Sequence, residues 1–105
     1  MNKLVPILIA IAVFFEVIGD VLFKYWSLNS KSLFIWGGII IYSVATVIWA
    51  YSLKYGYLSK EITIFTVFNL IAVVLAGVFI FKEDLSTINI IGIFLGIISV
   101  ILVQI

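Results

Sequence analysis

The sequence contains no cysteine and no histidine, which excludes disulfide bonds, thiol chemistry and the usual zinc and haem ligand sets. It contains no arginine either, and six lysines with a net charge of +1 provide no basic patch for nucleic acid. Only 10% of the residues are charged, and no catalytic arrangement of nucleophile, base or metal ligands appears. We therefore expect a protein that is not an enzyme and that binds no cofactor, metal or nucleic acid.

Apolar side chains are abundant instead. They make up 66% of the 105 residues and give a mean hydropathy of +1.40, which a soluble domain of this size could not keep in solution. A bilayer core about 30 Å thick needs about 20 apolar residues per helix, so the chain has room for four spans and short connections. The polar breaks place these spans at residues 4–23, 33–53, 62–81 and 87–104. We predict an all-α, four-helix transmembrane bundle, a single membrane domain over residues 1–105, in the cell inner (plasma) membrane.

The six lysines give no preferred orientation in the membrane. Lysines near helix ends normally mark the cytoplasmic side. Lys3, Lys54 and Lys60 share one side of the predicted helices, whereas Lys24, Lys31 and Lys82 share the other. This even division predicts dual topology, in which copies insert in both directions and meet as an inverted pair. The alternative is a single orientation set by a weak local preference, such as that of Lys3.

An acidic stripe in the first helix is the strongest candidate for function. Glu16 lies about thirteen residues into its span, where an ionised carboxylate is costly and an acidic residue is a functional candidate by default. Asp20 and Lys24 follow at intervals of four residues on the same helix face. A purely structural alternative has Asp20 paired with Lys24 at the membrane boundary, and Glu16 neutral and hydrogen-bonded inside the bundle.

The second and third helices carry aromatic and polar side chains at helical spacing. Tyr42 and Trp49 lie on one face of the second helix, and Phe65 and Asn69 on one face of the third. An aromatic wall beside a carboxylate suits a hydrophobic cation, which both the ring faces and the negative charge attract. The alternative is that these residues only pack the helices together.

Three further polar residues have a structural interpretation. We expect Glu61 to act as a cap at the start of the third helix, where the helix dipole and free N–H groups favour a carboxylate. Thr46 and Thr66 are expected to form hydrogen bonds between helices, as is common in membrane bundles.

The fourth helix carries a face of small residues, Gly92, Gly96 and Ser99, of the kind that permits close helix contact in lipid. We predict that this face packs against a second protomer. A chain of four helices is too small to enclose an alternating pathway alone, and a homodimer interface would complete one.

The whole chain resembles the small multidrug resistance family. The likeness rests on its length, its four helices and the stretch Phe15–Gly19 followed by Lys24. Aligned without gaps, Glu16 falls on the essential glutamate of the family and Tyr42 on its binding-site tyrosine. The glycine motif of the fourth helix falls on Gly92–Val100, with Ser99 in place of a glycine.

The resemblance implies a proton-coupled antiporter: an antiparallel homodimer that exports small or lipophilic cations, with the two copies of Glu16 binding either protons or substrate. The third helix departs from the family pattern. Phe65 replaces a tryptophan, Ile62 a tyrosine, residues 67–69 a Gly-x-Gly and Glu61 an alanine. Two alternatives therefore stay open. One is a small translocator of the wider drug/metabolite transporter superfamily, moving a metabolite, a guanidinium-like ion or a lipid-linked sugar. The other is a non-transporting membrane subunit.

Overall fold

The structure is a computed structural model that describes residues 3–105, and it confirms the all-α class. Four long helices follow one another along the chain: α1 (Leu4–Asn29), α2 (Ser32–Ser52), α3 (Leu58–Phe79) and α4 (Thr87–Gln104). A short 3₁₀ turn, Leu53–Tyr55, continues α2. Each of the four helices is long and apolar enough to cross a membrane, and the described residues contain no strand.

Two helices extend beyond the apolar runs that the sequence marks out. α1 continues through the polar stretch after residue 23, because polar side chains such as Lys24 do not interrupt the backbone hydrogen bonds of a helix. It ends where Ser30 adopts a left-handed conformation (φ 59°) and donates its N–H to Trp26 O at 2.7 Å. α3 begins at Leu58 rather than near residue 62, which places Glu61 within its first turn.

The turn between α3 and α4 is held by local hydrogen bonds. After α3 the N–H of Glu83 donates to Gly77 O at 3.0 Å, and Lys82 takes a left-handed conformation (φ 54°). α4 then starts with a capping box, in which the Ser86 hydroxyl accepts from Asn89 N and the Asn89 side chain accepts from Ser86 N, both at 3.1 Å. These bonds fix the start of α4 at Thr87.

The helices lie side by side in the order α2, α1, α3, α4. α1 packs against both α2 and α3, whereas α4 packs mainly on α3 and has no buried residue of its own. The described chain measures 42 × 35 × 16 Å and is therefore flat. Many large apolar side chains on all four helices therefore stay exposed to lipid or to a second copy of the chain.

The hydrophobic core occupies the N-terminal half of α1. Val5, Ile9 and Val13 form its centre, and Trp49 and Phe65 pack against them from α2 and α3. In the other half, where Glu16 and Asp20 lie, the core gives way to polar groups. The fold therefore separates a packed apolar end of α1 from a polar one.

Candidate functional site

The site begins where α1 and α2 cross at two glycines. A Cβ on Gly38 would lie 3.3 Å from the carbonyl oxygen of Gly19, and a Cβ on Gly19 would lie 3.4 Å from the carbonyl oxygen of Gly38. The two backbones are thus almost in contact, as small residues allow in membrane helices. Gly38 is a contributor that the sequence interpretation missed. The Gly37–Gly38 pair within an apolar helix was the signal available for it.

This close crossing brings Tyr42 of α2 against the acidic face of α1. The Tyr42 ring lies beside Gly19, with its Cδ2 3.0 Å from the position of a Cβ there, and its centroid is 5.8 Å from that of Phe23. The Tyr42 hydroxyl interacts with the carboxyl of Glu16 and, electrostatically, with that of Asp20. Three of the predicted site residues, Glu16, Asp20 and Tyr42, are therefore neighbours. All three are only partly buried within one chain.

The ion pair between Asp20 and Lys24, which the structural alternative required, does not form among the described residues. Lys24 Nζ instead lies 3.9 Å from Glu83 Oε2, because the turn between α3 and α4 carries this carboxylate to the end of α1. Both side chains of that pair are about half exposed, so the pair adds little stability. Among residues 3–105 Asp20 forms no ion pair, and its side chain lines a cavity of about 140 Å³ between α1 and α3.

The other predicted aromatic residues form a second group, farther along the helices. Trp49 and Phe65 pack against each other with ring centroids 4.9 Å apart and planes at 55°. Trp49 follows Tyr42 by two helical turns, about 10 Å along α2. The predicted aromatic residues therefore do not form one continuous wall. Tyr42 lies near Glu16 together with Phe23, whereas the Trp49–Phe65 pair borders the hydrophobic core.

Asn69, the predicted polar contact of α3, lies one turn beyond Phe65. Its Oδ1 atom is buried and accepts no hydrogen bond. A buried amide oxygen without a donor is costly, so this atom is available to a donor that the single chain does not supply.

The threonine hydroxyls do not join helices as expected. Thr46 donates to Tyr42 O at 3.0 Å and Thr66 to Ile62 O at 2.6 Å, each within its own helix. Both threonines are exposed, and the carbonyl four residues earlier is the nearest acceptor for such a side chain in an apolar environment. Their predicted role as links between helices was wrong for the single chain.

Glu61 is not the helix cap that the sequence suggested. The N-cap position of α3 is Tyr57, which makes no side-chain cap hydrogen bond, and Glu61 lies four residues later, completely buried. Its carboxyl turns back towards the end of α2, where Ser52 Oγ lies 2.8 Å from Oε1. The first turn of α3 started earlier than the apolar run indicated, which is why the expected cap position was missed.

The small residues of α4 make few contacts within the chain. A Cβ on Gly92 would meet no atom within 4 Å, and one on Gly96 would meet only Leu70 Cδ2, at 3.6 Å. Ser99 is exposed. Their packing against a second protomer stays a prediction.

The family model described as Small Multidrug Resistance protein matches residues 4–97, which include α1, α2, α3 and the first part of α4. No curated protein sequence is significantly similar to the chain.

Proposed function

Because the chain belongs to the small multidrug resistance family and is a multi-pass transporter of the inner membrane, we propose that it exports small or lipophilic cations in exchange for protons. Glu16 is the coupling site in this proposal. The observation that carries it is the packing of Tyr42 beside Gly19 at the crossing of α1 and α2, which brings its hydroxyl within interaction range of the Glu16 carboxyl, with Asp20 one turn from Glu16. Family members are transporters, which agrees with the expectation that the protein is not an enzyme.

The coupling follows from the chemistry of a single carboxyl group. An ionised Glu16 attracts a cation, whereas a protonated Glu16 has no charge with which to hold one. Binding of the cation therefore releases the proton, and binding of a proton releases the cation. If the same site opens alternately to the two sides of the membrane, proton flow in one direction drives cation flow in the other.

The neighbouring side chains suit a lipophilic cation. Tyr42 and Phe23 offer ring faces close to Glu16, and a cation gains from an aromatic face when it is out of water. The free Oδ1 of Asn69 could accept a hydrogen bond from an N–H group of the substrate. The Trp49–Phe65 pair would form the apolar end of the pocket.

A second copy would complete the site. Glu16 and Tyr42 are only partly covered in a chain that is 16 Å thick, and α4 buries no residue within it. We assign the face of Gly92, Gly96 and Ser99 to the contact between protomers, because it allows close approach and is nearly free of contacts. The even division of lysines favours an antiparallel homodimer with dual topology.

Proton release on addition of a cation tests the proposal. Purified protein in weakly buffered detergent should acidify the solution when tetraphenylphosphonium is added, and proteoliposomes on a solid-supported membrane should give a current that depends on this cation and on the proton gradient. Glu16→Gln should abolish both responses. The control variant Asp84→Asn, which removes an exposed acid in the turn between α3 and α4, should keep them.

Two outcomes would contradict the proposal. An unchanged response in Glu16→Gln would remove this residue from the coupling role. A stable wild-type chain that gives no response to tetraphenylphosphonium or guanidinium would instead favour a different cargo or a non-transporting subunit.

A further inference from the structure

A second buried carboxyl group lies at the turn between α2 and α3, away from the α1–α2 crossing that holds Glu16. Glu61 and Ser52 are both 0% exposed, and they are the two buried polar residues among residues 3–105. We propose that Glu61 is a proton-binding site of its own, which holds a proton while this turn is closed. Nothing in the proposal depends on the role of Glu16.

The Ser52 hydroxyl makes two short contacts. Its Oγ lies 2.6 Å from the carbonyl oxygen of Trp49 and 2.8 Å from Glu61 Oε1. Both distances are those of hydrogen bonds, but a serine hydroxyl has one hydrogen to donate. A carbonyl oxygen and an ionised carboxylate are acceptors only. One of the two short contacts therefore needs a hydrogen atom that does not come from Ser52.

The end of α2 shows which acceptor takes the hydrogen of Ser52. In a regular helix the N–H of Leu53 would donate to Trp49 O, but here it bonds to Ala50 O as the helix tightens into the 3₁₀ turn. The carbonyl of Trp49 thus lacks its usual donor, and the Ser52 hydroxyl takes that place at the shorter distance. The hydrogen in the second contact then belongs to Glu61, whose protonated Oε1 donates to Ser52 Oγ.

The other oxygen of the Glu61 carboxyl group also favours the neutral form. Glu61 Oε2 is buried and has no hydrogen-bond donor. It is packed against Gly56, where a Cβ would lie only 2.5 Å from it. An ionised carboxylate spreads its charge over both oxygens, and a charged oxygen without a donor is far more costly to bury than the neutral C=O of a carboxylic acid. The neutral form is the one that this site accommodates.

The charged groups at this end of the chain do not compensate a negative charge on Glu61. Among residues 3–105 they are Lys3, which precedes α1, Lys54 of the 3₁₀ turn and Lys60 of α3, and none of them forms an ion pair with Glu61. The nearby titratable tyrosines of α2 and the turn, Tyr51 and Tyr55, bond to each other through their hydroxyls at 2.9 Å. Tyr57 is 75% exposed.

A conformational consequence follows from the sealed position of Glu61. When the proton leaves Oε1 for water, the carboxylate needs new hydrogen-bond donors, and the closed turn offers none to Oε2. Water can reach this atom only if the turn separates from Glu61. The proton thus acts as the ligand that keeps the ends of α2 and α3 together.

Infrared spectroscopy of the carboxyl groups tests the proton directly. At neutral pH the difference spectrum between the wild type and Glu61→Gln should contain the C=O band of one protonated carboxyl group. The matched control Glu83→Gln changes a glutamate that also lies over a glycine, Gly77, but is about half exposed, so its difference spectrum should contain carboxylate bands only. Carboxylate bands alone in the Glu61→Gln difference would overturn the proposal.

Two variants that keep Glu61 make the test independent of how well Glu61→Gln folds. Ser52→Ala removes the acceptor of the Glu61 proton, and Gly56→Ala places a methyl group 2.5 Å from Oε2. Each should shift the frequency of the protonated band. A band that is unchanged in both variants belongs to another carboxyl group and would overturn the assignment.

The dependence of stability on pH tests whether the proton on Glu61 keeps the ends of α2 and α3 together. Wild-type protein in detergent should unfold at lower denaturant concentration as the pH rises, because the unfolded chain gives up the Glu61 proton while the folded chain keeps it. Glu61→Gln keeps a donor and an acceptor in place without a titratable proton, so its midpoint should fall less, while that of Glu83→Gln should follow the wild type. Parallel curves for all three proteins would show that Glu61 does not control the turn.

Discussion

The close contact of α1 with α2 makes a specific prediction for Gly38→Ala, with Gly37→Ala as its control. A Cβ at Gly38 would lie 2.6 Å from Cε1 of Phe23 and 3.3 Å from Gly19 O, whereas a Cβ at Gly37 would meet only Leu22 Cδ1, at 3.7 Å. To restore an ordinary contact of 3.4 Å, the Phe23 ring must move by roughly 0.8 Å. Overpacking of this kind typically costs about 1–3 kcal/mol.

The control removes the effect of helix propensity. Both substitutions replace glycine by alanine inside α2, and each gains about 1 kcal/mol from propensity, so the difference between the variants isolates the steric cost. Reversible unfolding in detergent with increasing dodecyl sulfate, followed by circular dichroism, should find Gly38→Ala less stable than Gly37→Ala by about 1–3 kcal/mol.

Function should change with stability. The Phe23 ring packs on Tyr42, so its displacement in Gly38→Ala should also reduce the proton release that tetraphenylphosphonium causes, whereas Gly37→Ala should keep it. Equal stability of the two variants would refute the inference that the glycine crossing holds α1 and α2 together and positions Tyr42 beside Glu16.

The remaining predictions concern the site and the interface. Tyr42→Phe should lower tetraphenylphosphonium affinity in equilibrium binding about three- to tenfold, because it removes the hydroxyl that meets Glu16. Asp20→Asn should keep cation-induced proton release but weaken the affinity up to about fivefold. Gly92→Trp should reduce energy transfer between labelled protomers without loss of helicity, whereas Ile90→Trp, on the opposite face of α4, should not. A normal dimer in Gly92→Trp would contradict the assigned interface.

Much of the fold could be predicted from the sequence because the bilayer limits what an apolar run can form. Runs of about 20 apolar residues predicted four helices, and α4 occupies residues 87–104 as expected. The extension of α1 to Asn29 and the early start of α3 at Leu58 could not be predicted in this way. Hydropathy reports where lipid lies, whereas a helix ends where its backbone hydrogen bonds end, here at the left-handed Ser30.

The sequence could predict which residues form the site only when they share one helix or match a motif of the family. Helical spacing placed Glu16 and Asp20 together, and the family resemblance pointed to Tyr42. Spacing within α1 also favoured a pair of Asp20 with Lys24, but the actual partner of Lys24 is Glu83, which arrives from a turn about sixty residues later. Contacts between different helices, such as Ser52 of α2 with Glu61 of α3, depend on packing that the spacing within one helix does not predict.

The two glutamates Glu16 and Glu61 have different surroundings, and this difference argues for separate roles. Glu16 meets the hydroxyl of Tyr42 on a partly covered face, so a cation or water can approach it without unfolding the chain. Glu61 is sealed by Ser52 and Gly56, where there is no space for a cation. In the two proposals a proton is therefore the ligand of Glu61 in the closed structure, whereas Glu16 exchanges a proton for a larger cation. Glu16→Gln and Glu61→Gln should accordingly affect different measurements: the first transport and cation binding, the second the stability of the turn between α2 and α3.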